Sequence, residues 1–239
     1  EYNFFMEEFY CRTAALLGEG GVRKLAGAHV ALFGLGGVGS YAAEALARCG
    51  VGELTLTDAD VVSPSNLNRQ LVALRSTVGR YKTEVMQERI ADINPDCKVH
   101  IKTLYFDAKT AAEYDFSAFS YVADAIDSVA DKVRLIASAR AAGVPVVSCM
   151  GAGNKLGCAF RAAPLEDTKV CPLARIVRRE LKKTGITGVK AIYSEEPPEK
   201  IDRSAAAAGE KFVGSVSFVP ASAGLMMAGE IVRDLVYGK

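Results

Sequence analysis

The chain has 239 residues, of which 50% are hydrophobic and 24% charged, with a formal net charge of +1. That length and apolar content are enough for one sizeable core in one or two domains, and the near-neutral balance excludes a strongly basic nucleic-acid coat, so any RNA footprint must be local. No uninterrupted apolar stretch approaches a membrane span, and Glu1 opens the chain without a basic region and apolar stretch, so a cytoplasmic protein is expected.

In chain order, residues from about 4 to 25 read as a helical arm. Strand and helix then alternate: Val30–Phe33 with Ser40–Arg48, Glu53–Asp58 with Lys82–Ile93, Lys98–Leu104 with Lys109–Glu113, and Tyr121–Ile126 with Lys132–Ala142. Val144–Cys149 follows as a fifth strand. Such alternation predicts an α/β fold, Rossmann-like and doubly wound, with a mainly parallel sheet and an irregular C-terminal half. The expected organisation is a single domain over 1–239: an arm (1–25), a nucleotide-binding half (26–150) and a substrate or crossover half (151–239). Glu195–Glu210 reads either as a mobile crossover above the site or as a plain surface loop.

The stretch from Val30 to Ser40 carries Gly34, Gly36 and Gly39 as G-x-G-x-x-G, in which the glycines permit a tight turn, backbone approach to phosphate and close helix packing. Asp58 follows at about the 20-residue spacing expected of an acid that takes a ribose hydroxyl. An ordinary dinucleotide site would satisfy these residues alone. Asn66, Asn68, Arg69 and Gln70 then follow a turn-rich segment, and Lys82 opens an amphipathic helix. A guanidinium and an ammonium suit an enzyme that transfers AMP, because charge builds on the leaving pyrophosphate as the α-phosphorus is attacked. Taken singly, Arg69 and Lys82 could equally be solvated cations.

These motifs resemble the E1-like (ThiF/MoeB/HesA) superfamily of adenylating enzymes. The resemblance covers nearly the whole chain, continuing through Ala125-Ile-Asp127, Cys171-Pro-Leu-Ala-Arg175 and Tyr193-Ser-Glu-Glu-Pro197, and it is greatest with the branch of tRNA threonylcarbamoyladenosine dehydratases. It implies ATP with Mg²⁺, Gly36 and Gly37 beneath the α-phosphate, Asp58 on the ribose, and Asn66, Arg69 and Lys82 on the phosphates. It also implies Asp127 near Mg²⁺ and the phosphates, although Asp127 could simply cap the following helix. Arg69, Lys82 and Asp127 are thus the catalytic candidates. A K⁺ or Na⁺ site, a homodimer and contacts with a cysteine desulfurase or sulfur acceptor are further implications. Some relatives also continue into a hydrophobic tail, the one route to membrane association. The alternatives are adenylation of a sulfur-carrier protein's C-terminus and a non-catalytic sulfur-relay adaptor.

The six cysteines are Cys11, Cys49, Cys97, Cys149, Cys158 and Cys171, with no C-x-x-C pair, so no structural zinc is expected. Residues 191–212, at the position of the crossover loop, contain no cysteine, which argues against a thioester with a ubiquitin-like protein. Cys149 and Cys171 are the two to weigh as sulfur acceptors against inert packing. Between residues 174 and 190 stand six cations and one acid. Arg175, Arg178, Arg179, Lys182 and Lys183 would share one helix face and contact tRNA phosphates, with a solvated face as the plain alternative.

Overall fold

A computed structural model of the chain describes residues 4–202 and 213–238. Helix α1 (Phe4–Ala26) bends at Gly18, whose φ of 73° and ψ of 161° interrupt the helical backbone. There follow β1 (His29–Phe33), α2 (Gly39–Arg48), β2 (Glu53–Thr57), α3 (Lys82–Ile93), β3 (Lys98–Lys102), β4 (Tyr121–Asp124), α4 (Val129–Ala141) and β5 (Val146–Cys149). The C-terminal half adds β6 (Arg161–Pro164), α5 (Pro172–Lys183), β7 (Lys190–Tyr193) and α6 (Phe218–Tyr237).

The strands form a seven-stranded sheet ordered β3-β2-β1-β4-β5-β7-β6. All neighbouring pairs are parallel except β6 with β7. The chain winds outward from β1 to β3 and then returns to β4 on the other side of β1. The sheet therefore changes winding direction between β1 and β4, where a doubly wound fold opens a crevice at its carboxyl edge. The core strands are apolar because both of their faces are covered: Val30, Ala31, Leu32 and Phe33 of β1 are all fully buried.

On one face, α2, α3 and α6 pack with Leu25, Leu46, Met86, Ile90, Met227 and Ile231 in a single buried cluster. Helix α6 lies so close to the glycine turn that a Cβ on Gly224 would stand 2.2 Å from the Val38 carbonyl oxygen. Among the described residues no helix is long and apolar enough to cross a membrane.

The other face corrects one expectation. Lys109–Glu113 is not a crossover helix; only the 3₁₀ turn Ala111–Glu113 forms. Asp107 Oδ1 accepts the backbone N–H groups of Lys109 at 2.7 Å and Thr110 at 3.1 Å, capping a turn that ends at Glu113. The sheet is covered there by Phe106, Tyr114, Phe116 and Phe119, the first three packed around Phe33 at ring-centroid distances of 5.1, 5.2 and 6.2 Å. In the second half, β7 extends the parallel sheet and β6 closes its edge. The expected Glu195–Glu210 crossover lies partly outside the described residues. Its described start is tied down, with Glu196 accepting the N–H groups of Leu156 at 2.8 Å and Gly157 at 2.9 Å.

Candidate nucleotide site

Each residue of the site is carried to the carboxyl edge by a strand or by the turn that follows one. β1 ends at Phe33, and Gly34 turns the chain with a φ of 91°, a conformation that favours glycine. A Cβ there would lie 2.7 Å from the Ala125 carbonyl oxygen, so the β1 and β4 turns touch through backbone. Gly39 faces into this turn as well: its Cβ would fall 1.8 Å from the Gly34 oxygen. It sets the approach of α2 to β1 and does not line the crevice.

The crevice is a cavity of about 750 Å³ lined by Gly34, Gly36, Gly37, Asp58, Asn66, Arg69, Gln70, Lys82 and Asp127, together with residues from the β3, β5 and α6 connections. Of the expected nucleotide residues, Gly39 and Asn68 are missing from this lining. Asn68 instead donates to the Ser215 carbonyl oxygen at 2.9 Å, tying its loop to the approach of α6. Arg69 is steered by its own loop, donating through Nη1 to the Ser65 carbonyl oxygen and to Asn68 Oδ1, both at 2.9 Å. Asn66 accepts the Ser63 N–H through its side chain at 3.1 Å, closing the turn that presents the loop.

Asp58 follows β2 and accepts the N–H of Leu35 at 2.6 Å and that of Asp60 at 2.8 Å. Burial nevertheless pushes its carboxyl above the usual carboxylate range, opposed by the Lys82 charge and by those two N–H groups. Lys82 is no surface cation. Its side chain is 5% exposed, and its Nζ donates to Asp60 Oδ2 at 2.7 Å. Tyr105 donates to the other Asp60 oxygen at 2.7 Å. Burial works against the Asp60 carboxylate, but hydrogen bonds from Lys82 and Tyr105 outweigh it and hold the group below its ordinary value. Neither Asp60 nor Tyr105 is among the expected site residues, although Asp60 stands only two residues beyond the expected ribose acid. Among the described residues Gln70 Oε1 is buried without a hydrogen-bond partner beside the cavity, and an unpaired acceptor of this kind calls for a donor from a ligand or water.

Asp127 lies three residues beyond the end of β4 and does not close the strand. Nor does it cap the next helix, because Ser128 occupies the N-cap of α4. It stands exposed at the cavity wall. The group that closes β4 is Asp124. Asp124 and Lys132 are both fully buried and paired at 2.9 Å. Ser148 donates to the same carboxylate oxygen at 2.5 Å, the other oxygen accepts the Ile126 N–H at 3.1 Å, and Lys132 donates to the Cys149 carbonyl oxygen at 3.0 Å. One buried ion pair therefore fixes the turns after β4 and β5, both of which line the cavity. Cys149 and Cys171 are buried, and burial pushes the Cys149 thiol up to about 12, so at neutral pH it is not a thiolate.

The basic helix divides. Arg178 turns inward, its Nη1 donating to the Thr168 carbonyl oxygen at 2.8 Å and to Thr168 Oγ1 at 3.2 Å, with longer contacts to the Leu165 and Glu166 carbonyl oxygens. These contacts make it a brace for the preceding turn. Arg179 and Lys183 both pair with Glu180, at 3.0 and 2.5 Å. Lys190, counted with the stripe in the sequence, sits on β7 and pairs with Glu230 and Asp234. Arg175 and Lys182 remain exposed beside a groove of about 800 Å³ whose floor includes Leu165, Ile176, Leu181 and Ile186.

Comparison with known proteins agrees with this architecture. The model of the ThiF family matches residues 10–237. The tRNA threonylcarbamoyladenosine dehydratase of Bacillus subtilis is 39% identical over 239 residues, spanning 95% of this chain and 94% of its own. The Escherichia coli protein of that name is 43% identical over 193 residues, 77% of this chain and 72% of its own. The crystal structure of the E. coli tRNA N6-threonylcarbamoyladenosine dehydratase in complex with ATP superposes with a TM-score of 0.89 at 36% identity, over 98% of this chain and 96% of that one. Its complex with AMP superposes equally well, with a TM-score of 0.89.

Because both partners of the buried ion pair are removed from water, replacing one should strand the other. Lys132→Met is expected to lower unfolding free energy by about 3–5 kcal/mol in urea, and Lys132→Met with Asp124→Leu to lower it by less than the sum of the two single changes. Additive losses would show that the pair is not coupled.

Proposed function

This chain belongs to the ThiF family, and on that premise we propose that it is an ATP-dependent dehydratase of threonylcarbamoyladenosine in tRNA, acting through an acyl-adenylate. The observation that carries this reading is the crevice in which the glycine turn, Asp58, Arg69, Lys82 and Asp127 converge. The likeness to proteins of that name over nearly the full chain, and to one of them bound to ATP and to AMP, supports it.

ATP lies along the glycine turn with its ribose hydroxyls toward Asp58 and its phosphates over the positive end of α2. Gly36 and Gly37 admit the α-phosphate, and the unpaired Gln70 oxygen accepts from the nucleotide or an ordered water. The exposed Asp127 offers hard carboxylate oxygens that suit Mg²⁺, which would screen the phosphate charge. A carboxylate oxygen of the threonyl group attacks the α-phosphorus and pyrophosphate leaves, with Arg69, Lys82 and Asn66 stabilising the charge that accumulates on it. An atom of the substrate's own carbamoyl group then attacks the activated carbonyl carbon and loses its proton, and AMP departs with the carboxylate oxygen that made the first bond. The product is the cyclic nucleoside, lighter by one water. The protein supplies position and charge, and no covalent enzyme intermediate is needed.

Arg175 and Lys182 flank the groove on α5 and provide the local RNA contact that a near-neutral chain requires. Exposed Leu67, Leu74, Phe218 and Leu225 supply apolar surface of the kind a homodimer would cover. Docking of a cysteine desulfurase or sulfur acceptor would then be a surface contact, without transfer to Cys149.

The function is tested by treating threonylcarbamoyladenosine-containing tRNA with the protein and ATP and measuring nucleosides by mass spectrometry. A cyclic product dependent on ATP is expected. Pyrophosphate exchange that requires a carrier protein instead of tRNA would transfer the assignment to sulfur-carrier adenylation, and no ATP use with either would leave an adaptor. Arg69→Ala should hold ATP affinity within a few-fold while lowering turnover by roughly 10²-fold, since its donor matters most as charge moves to pyrophosphate. Equal losses in both would remove that role. Arg175→Ala combined with Lys182→Ala should weaken binding to all tRNAs and flatten the salt dependence by about 0.7–0.9 per lost contact. Arg178→Ala, in contrast, should reduce stability. An unchanged salt slope in the double variant would leave α5 as a solvated face.

A further inference from the structure

At the amino edge of the sheet, opposite the glycine turn, stands a second cluster of chemistry-bearing side chains. His29 opens β1, Glu53 opens β2 beside it, and His100 lies on β3. These are the only two histidines in the chain, and both meet the same carboxylate. His100 Nε2 lies 2.7 Å from Glu53 Oε1, and His29 Nδ1 lies 3.6 Å from it. One ligand atom from each of the three residues falls within 4.8 Å of the others.

We propose that His29, Glu53 and His100 form a binding site for a divalent late-transition ion, with Zn²⁺ as its representative, that clips together the amino-terminal parts of β1, β2 and β3. Ligands about 2.0–2.1 Å from a tetrahedral Zn²⁺ stand roughly 3.3 Å from one another, within the range that the three atoms already span. Small side-chain rotations suffice, and the half-exposed His100 ring has room to make them. Two imidazole nitrogens and one carboxylate select a late-transition ion over Mg²⁺ or Ca²⁺, which take oxygen ligands, and they leave a fourth position for water.

The surroundings fit this role. The other nitrogen of His29, Nε2, is engaged by Thr55 Oγ1 at 2.8 Å, the type of outer hydrogen bond that fixes a ligating ring and turns its remaining nitrogen toward the ion. The ring edge also rests against Phe119 at 4.9 Å between centroids. Cysteine spacing gave no hint of this site, because it uses no cysteine.

The test uses the full chain stripped with a chelator, Zn²⁺ alone as the added ion, and histidine-selective ring NMR. Because only two imidazoles exist, their signals report on this cluster without interference from ion bound elsewhere. One equivalent of Zn²⁺ should shift both rings and raise Tm, while the same concentration of Mg²⁺ should do neither. His100→Asn and Glu53→Gln, both at partly exposed positions, should each weaken the response at the His29 ring by at least about tenfold. Zn²⁺ that leaves both imidazoles unshifted in the unaltered chain, or a His29 response unchanged in both variants, would overturn the proposal.

Discussion

Between β1 and β4 the sheet reverses its winding, and this reversal is the constraint on which the candidate site depends. A parallel sheet covered on both faces has few places where a ligand can reach strand ends without a crossover in the way, and the switch point is such a place. Gly34 and Gly39 make it usable, since side chains at either position would drive backbone into backbone. Helix α6 then closes the flank against α2, with Pro220 3.0 Å from the place a Cβ on Gly37 would take. Residues distant in sequence thereby form one wall, and Asn68 fastens the Asn66–Gln70 loop to the segment that leads into α6.

The electrostatic order at this edge is graded by burial. Asp124 and Lys132 lie deepest, and there the charges neutralise one another and hold backbone. Lys82 and Asp60 stand nearer the opening, paired but with the carboxylate 45% exposed, so a phosphate can compete for the ammonium group. Asp127 is exposed and remains available to whatever enters. A buried pair that cannot exchange partners thus supports a shallower one that can. This arrangement suits chemistry in which negative charge moves from one phosphate to the next and the protein moves little.

Much of this was legible in the residues. The strand-to-glycine transition at Phe33–Gly34, the acid at Asp58 and the helix beginning at Lys82 follow local rules of period and turn chemistry, and α3 begins and ends where the pattern placed it. What escaped notice depends on three dimensions. In place of the Lys109–Glu113 helix only a short turn forms, and an aromatic cluster distant in sequence from β1 covers the sheet there. The structural part of Asp124 has no local mark, because its partner Lys132 is reached only across a turn and the start of a helix. Arg178 looked like its neighbours on a helical projection, but the carbonyl groups that capture it belong to a turn ten or more residues earlier. Strands β6 and β7 are short, and their pairing joins segments separated by α5, so neither shows a pattern of its own.

The central claim is that a substrate carboxylate is activated on the α-phosphorus of ATP. Isotopic labelling tests it directly: the threonyl carboxylate of the tRNA nucleoside is enriched in a heavy oxygen isotope, and the nucleotide and phosphate products of one turnover are analysed by mass spectrometry. An acyl-adenylate requires the bridging oxygen to leave with AMP, so the label should appear in the AMP phosphate, with unlabelled pyrophosphate released. Label in inorganic phosphate, accompanied by ADP, would mean that the carboxylate attacks the γ-phosphorus instead and would contradict the account.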